Sequence, residues 1–334
     1  MENSKNISIK KIAELSGVSV ATVSRVINNT GRFSEETRDK VLKIIKEYDY
    51  KPNMVAKSLR VNKTKTIGIT VPDIKNGFFS EVVSEIEKFF FDHGYSVFIC
   101  NTNRSDIKEI EYFKSLDSKL VDGIICISGN SASHAQSVKR NIPIVYINNC
   151  NSPNSYYVES DHFQGGFLAT EELIKKGCKK IILLTNDRDD SASHSKYVGY
   201  IKAHEKYNLK INENLILKLP LVEGNFEDSF EKISELIKND VEFDGIFATN
   251  DWRSHGALLS LQRHQISVPQ EVKIIGYDGT YISKYCNPPI STIYQDKKAL
   301  AIKSSHLLLS LIKGDYEGEK HIILPIKLIN RETT

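Results

Sequence analysis

Residues 9–28 read Ile9-Lys10-Lys11-Ile12-Ala13-Glu14-Leu15-Ser16-Gly17-Val18-Ser19-Val20-Ala21-Thr22-Val23-Ser24-Arg25-Val26-Ile27-Asn28. Apolar residues at Ile9, Ile12, Ala13 and Leu15, and again at Val20, Val23, Val26 and Ile27, give each half one buried face at helical spacing. Gly17 sits where a turn between packed helices tolerates a positive φ, and Ser19 is placed to cap the second helix. The pattern predicts a helix-turn-helix whose second helix shows Ala21, Thr22, Ser24, Arg25 and Asn28 to solvent, a set that suits a helix lying against DNA. The same shape also serves as a plain packing unit, and charge separates the two readings. Residues 1–65 carry fourteen Lys and Arg against seven Asp and Glu, and the remainder carries thirty-one against thirty-five. The basic surplus is confined to the head, as phosphate contacts made by one end require.

Asn29 to Phe33 form a loop, and Ser34-Glu35-Glu36-Thr37 opens a third helix through Tyr48 with acids in its first turn. Val41, Leu42, Ile44, Ile45 and Tyr48 are expected to close the small core of the head. In Tyr50-Lys51-Pro52-Asn53-Met54-Val55-Ala56-Lys57-Ser58-Leu59-Arg60, proline ends the third helix and Asn53 can cap another. The residues that follow favour helix but are too few to hold one alone in water, so the segment should order only when something docks it.

The ordered series Ile12-Ala13, Gly17-Val18-Ser19, Ala21 to Asn28, Tyr50-Lys51-Pro52-Asn53 and Ala56-Lys57-Ser58-Leu59 resembles the lactose-repressor (LacI/GalR) family of bacterial transcription regulators. By that resemblance Val20, Ala21 and Arg25 match base-reading positions in the major groove, and Ser19, Thr22, Ser24 and Asn28 match residues that position the DNA backbone. The Arg25 fork fits the two acceptors of guanine. Leu59 matches a leucine that enters the minor groove as a wedge, and Val55 the residue through which two hinge helices pair.

From Ile67 apolar strand runs alternate with amphipathic helices, and the alternation starts afresh at Phe163, which predicts two lobes with parallel sheets covered on both faces. Ligands in such sheets bind beyond the carboxyl ends of the strands. The expected fold is an all-α helix-turn-helix DNA-binding head plus an α/β two-lobed core of doubly wound sheets, which resembles the periplasmic-binding-protein-like core of the family. The expected division is 1–51 for the head, 52–65 for hinge helix and linker, and 66–334 for the ligand-binding and dimerisation core. Lobe 1 is placed at about 66–160 and 294–320, and lobe 2 at about 161–291 and 321–334, with His321 to Ile329 read as one strand.

Asp161, Asn250 and Asp278 follow strand runs and match family ligand positions; Phe79 and Phe226 match aromatic positions facing the ligand, and Gln295 a further polar one. All of these residue types also occur as caps or core. Lys196 stands where the family usually has arginine, exchanging a planar fork for a compact charge, so a phosphorylated sugar and a neutral one both remain open. Arg188 and Arg253 lie nearby in sequence as substitutes. The segments Asp122 to Ile125, Ser160 to Gly166 and Gly276 to Tyr281 look most like the sucrose-operon repressors, with ribose-type repressors also similar.

The resemblance implies a regulator, in the repressor sense, of a sugar-utilisation operon, working as a cytoplasmic homodimer on a near-palindromic operator under control of a sugar or sugar phosphate. A catabolite-control regulator governed by a phosphocarrier protein is the alternative; a sugar-binding protein or enzyme is more remote. The polar start Met1 to Lys11 argues against a secretion signal, and no apolar run is long enough for a membrane span. No phosphate-binding glycine loop or His-Glu-x-x-His occurs, the nine histidines lack ligand spacing, and no catalytic residue, metal or cofactor is expected. Five cysteines without a Cys-x-x-Cys pair suit reduced, mostly buried thiols. The short tail after Ile329 leaves no room for a tetramerising heptad helix.

Overall fold

Serine hydroxyls start all three helices of the head. Ser8, Ser19 and Ser34 are extended N-caps that accept from the backbone N–H of Lys11 (3.3 Å), Thr22 (3.1 Å) and Thr37 (3.2 Å), opening α1 (Ile9–Ser16), α2 (Val20–Asn28) and α3 (Glu35–Glu47). Gly17 closes α1 at φ 68°, the left-handed conformation that glycine adopts without penalty. Ile12, Ala13, Val23, Val26 and Val41 form the core, with Ile9, Ile27, Ile44 and Ile45 packed on it. Leu15, Val20, Leu42 and Tyr48, expected inside, are exposed instead. In α1 the inward positions are Ile12, Ala13 and Ser16, which turns Leu15 away; α3 ends at Glu47, leaving Tyr48 as its C-cap.

The computed structural model describes residues 7–50, 63–129, 138–148, 154–187, 191–220 and 225–334. Val55, Leu59, Arg188, Cys150 and most of residues 133–140, whose sequence reads as a helix, lie outside these residues. The chain divides into two compact units, Met1–Thr64 and Lys65–Thr334.

The second unit runs β1 (Thr66–Val71), α4 (Gly77–Asp92), β2 (Ser96–Asn101), α5 (Asp106–Ser118), β3 (Gly123–Ile127), β4 (Ile144–Ile147), β5 (Tyr156–Ser160), α6 (His162–Lys175), β6 (Ile181–Asn186), α7 (Ser191–Lys206), β7 (Ile216–Leu219), α8 (Asn225–Lys238), β8 (Gly245–Ala248), α9 (Asp251–Arg263), β9 (Lys273–Asp278), α10 (Tyr281–Tyr285), β10 (Ser291–Tyr294), α11 (Lys297–Lys313), β11 (His321–Leu324) and β12 (Lys327–Ile329). One six-stranded sheet has the order β11-β5-β4-β3-β1-β2, all parallel; the other is β12-β10-β9-β8-β6-β7, parallel except for β12. Strands such as β1, β3 and β8 are buried along nearly their whole length, as helix cover on both faces demands.

Two expected lobe boundaries need correction. The run His321 to Ile329 is not one strand of lobe 2: Pro325 lies in the break between β11, which pairs with β5 in the first sheet (His321 opposite Tyr157), and β12, which joins β10 in the second. Tyr294, expected to begin the second piece of lobe 1, still pairs with Asp278 in the second sheet. The chain therefore crosses between lobes after Ser160, at Gln295–Asp296 and at Pro325–Ile326. No helix among the described residues is long and apolar enough to cross a membrane, and the four cysteines among them are free thiols.

Candidate functional site

The carboxyl ends of both sheets border one cleft of ≈ 130 Å³, lined by Asn76, Phe78, Phe79 and Asn148 from the first lobe and by His162, Asn186, Ser193, Lys196, Asn250 and Asp278 from the second, with Gln295 at the crossover. Strand ends place these groups because the backbone turns sharply there. Ser128, Asn148 and Asp278, following or ending β3, β4 and β9, adopt φ of 50°, 58° and 107° and all three line the cleft. Such left-handed conformations in non-glycine residues cost on the order of 1–3 kcal/mol each, and they persist where the surroundings over-determine them.

A chain of side-chain hydrogen bonds links the lobes at the crossover. Asn148 Oδ1 accepts from the Ser160 N–H (3.1 Å), Asn148 Nδ2 donates to Gln295 Oε1 (2.9 Å), and Gln295 Nε2 donates to Asp278 Oδ1 (2.8 Å). Beneath Asp278, Lys297 Nζ donates to the carbonyls of Asp278 (3.2 Å) and Gly279 (2.9 Å). Burial pushes the Asp278 carboxyl from its ordinary 3.8 up to about 7, a rise opposed by Lys196 and aided by the nearby Asp251. Asp251 is fully buried and also raised, yet it accepts from Thr280 N (2.6 Å), Thr280 Oγ1 (2.8 Å) and Thr292 Oγ1 (2.7 Å), fastening the loop after β9 to β10.

Lys196 reaches the cleft from α7 because α6 and α7 cross at their glycines. A Cβ on Gly166 would lie 2.1 Å from the Lys196 carbonyl oxygen, and one on Gly199 would lie 2.3 Å from that of Phe163. The buried Lys196 ammonium donates to the Thr249 carbonyl (3.1 Å) and rests 3.9 Å from the centre of the Tyr277 ring, a cation–π placement. Arg253 also borders the cleft, but its guanidinium is committed to Thr249 Oγ1 (3.3 Å) and to the carbonyls of Leu219 and Pro220 (both 3.4 Å).

Of the residues expected from sequence, Phe79, Lys196, Asn250, Asp278 and Gln295 meet here. Asp161 does not line the cleft: its carboxylate is spent capping α6, accepting from Gln164 N (2.9 Å). Phe226 does not line it either, because its ring packs on His255 (centroids 5.3 Å apart) where α8 meets α9. Asn76, Asn148, Asn186, Ser193 and His162 were not anticipated. For Asn148 and Asn186 the signal was present, since each sits at a strand's carboxyl end as Asn250 and Asp278 do.

In the head, Ser19, Val20, Ala21 and Arg25 are exposed along α2. Thr22, Ser24 and Asn28 are half-buried: Thr22 Oγ1 lies 2.9 Å from Ser19 Oγ, and Asn28 Nδ2 donates to the Ser24 carbonyl (2.7 Å). The solvent face of α2 is thus one arginine on a surface of small side chains, which lets a helix approach DNA closely.

Comparison with known proteins gives a concordant picture. Residues 8–53 match the family described as bacterial regulatory proteins, lacI family, and residues 170–334 match a periplasmic binding protein-like domain. The HTH-type transcriptional repressor PurR of Histophilus somni (strain 2336) is 32% identical over 324 residues, 95% of each chain. A solved periplasmic binding protein/LacI transcriptional regulator from Alkaliphilus metalliredigens, complexed with D-xylulofuranose, is 33% identical, covering 81% of this chain and 99% of its own, with a TM-score of 0.73. The lac repressor dimer bound to operator shares the fold, with a TM-score of 0.86 at 24% identity over 98% of this chain and 99% of that one.

Proposed function

The chain belongs to the lacI family of bacterial regulatory proteins, as a DNA-binding transcriptional repressor with a ligand-binding core and not an enzyme, and on that premise we propose that it controls a sugar-utilisation operon in response to a sugar or sugar phosphate held between its lobes. The observation that carries the effector class is the lining of the cleft, to which Asn76, Asn148, Asn186, Asn250, Ser193 and Asp278 contribute beside the aromatic Phe79. Amides and a carboxylate grip the donor–acceptor pairs of a polyol, and an aromatic ring covers its apolar face. The D-xylulofuranose of the Alkaliphilus structure and the cellobiose of a transcriptional regulator CelR complex support the same class.

Two copies act together in this reading. Exposed Phe98 and Ile99 on the edge strand β2, Phe91 and Ile107 on the flanking helices, and the stacked Tyr281–Tyr285 pair offer apolar surface for a homodimer. Two heads then meet a near-palindromic operator, with Val20, Ala21 and Arg25 at bases and Ser19, Thr22, Ser24 and Asn28 at the backbone. Val55 and Leu59 pair and wedge at its centre. Effector in the cleft biases the two lobes through the Asn148–Gln295–Asp278 bridge, and the hinge carries that bias to DNA.

Calorimetric screening of the full chain tests the effector class, with sucrose, ribose, fructose, xylulose, cellobiose and the available phosphates. Because full-length relatives at 32–33% identity are repressors named PurR, the panel includes purine bases. Binding of a sugar or sugar phosphate that Asn250→Ala weakens is the expected result. Binding of a base alone, or of nothing in the panel, would overturn the sugar reading.

A further inference from the structure

His162 opens α6 and is 4% exposed, yet it borders the cleft. Its Nδ1 lies 3.0 Å from the Tyr277 hydroxyl, while its buried Nε2 has no hydrogen-bond partner among the described residues. A buried polar atom left unmade costs about 1–3 kcal/mol, so a native structure that leaves one beside a ligand cleft implies that something else satisfies it. We infer that His162 contacts the effector, donating from Nε2–H, so that the effector presents a lone-pair acceptor there: an ether, carbonyl or hydroxyl oxygen or an unprotonated ring nitrogen. This rests on the reading of the cleft as the effector site.

The direction of the bond follows from Tyr277. Burial holds the Tyr277 hydroxyl well above its ordinary range, so it keeps its proton. Among the described residues the one partner of that hydroxyl is His162 Nδ1. Donation from Tyr277 to Nδ1 satisfies both atoms; the reverse would leave a buried O–H without an acceptor. A neutral imidazole that accepts at Nδ1 carries its proton on Nε2. The ring is kept neutral by burial and by the Lys196 ammonium, which lies over the face of the same tyrosine. Gly165 completes the device: a Cβ there would fall 2.5 Å from the Tyr277 oxygen and displace it. Tyr277 is accordingly a positioning residue that selects the tautomer, and His162 the contacting one. A group that offers only N–H or a cation at this point is rejected.

The test has two arms on the full chain. Long-range 1H–15N spectra of the ligand-free protein, with His162→Gln identifying the His162 signal among the nine histidines, should show the neutral Nε2–H tautomer, and Tyr277→Phe should shift it toward a mixture. An Nδ1–H tautomer or an imidazolium at neutral pH overturns the inference, whether or not any compound in the panel binds. For the compound that binds, His162→Phe should weaken affinity about tenfold or more while His162→Gln, which keeps a donor, stays within a few-fold. Unchanged affinity in His162→Phe would overturn the contact while leaving the sugar-regulator reading intact; absence of any binding compound would count against that reading and leave the tautomer result to decide this one.

Discussion

Replacing Asp278 by asparagine should make the ligand-free protein more stable at alkaline pH. The carboxyl is pushed from 3.8 to about 7 by burial. Because the folded value lies above the unfolded one, the stability linked to this group is complete below pH 3.8 and is lost as pH rises through 7. The separation corresponds to about 4 kcal/mol at full ionisation. Asparagine keeps the acceptor for Gln295 Nε2 and tolerates the positive φ of 107° at least as well, but it never ionises. Urea unfolding of wild type and Asp278→Asn at pH 4, 5, 6, 7 and 8 reads the ionisation of Asp278 together with its electrostatic coupling to Lys196 and Asp251. The stability gap should be small at pH 4, widen between pH 4 and 7, and level off near pH 8 in favour of the variant, a midpoint difference on the order of 1 M. A gap that stays constant with pH, or that favours wild type increasingly as pH rises, would refute the burial argument.

Arg25→Ala should weaken operator binding by about 1–3 kcal/mol and relax the preference at one base pair, read by competition among operator variants. Gly166→Ala forces a methyl against the Lys196 carbonyl; it should destabilise the core by about 1–3 kcal/mol in urea and weaken effector binding measured by calorimetry, because the helix that carries Lys196 must retreat. Leu59→Ala should weaken operator binding in an anisotropy assay while calorimetric effector affinity is retained, and equal loss of both would sink the coupling through the hinge.

The parts of the molecule governed by local chemistry were legible in its residues. Serine caps, the Gly17 turn and the alternation of apolar runs each follow from a few neighbours, so the three helices of the head and the strand–helix alternation of the core follow expectation. Leu15 and Leu42 went astray because helical spacing fixes the width of an apolar stripe but not which edge of it the partner helix covers. The strand pair β11 and β12 was hidden for a different reason: which sheet a short apolar run joins depends on tertiary pairing, and only Pro325 hinted at the break. Within the site, Asp161 and Asn250 were indistinguishable as sequence. Both cap helices after strands, and only the packing of α6 and α9 decides that Asn250 also borders the cleft while Asp161 does not. His162 carried no signal at all, because its meaning depends on Tyr277, distant in the chain.

The central claim, that a small molecule in the cleft governs the grip of the head on DNA, is tested most directly by fluorescence anisotropy. The full chain is titrated onto a selected palindromic operator at fixed salt, with and without each sugar, sugar phosphate and purine base of the panel. One sugar or sugar phosphate should shift the operator affinity tenfold or more, about 1.4 kcal/mol of coupling, with the sign of the shift showing whether it releases or recruits DNA. DNA binding that no compound in the panel alters would contradict the claim and move control of this repressor to a protein partner such as a phosphocarrier.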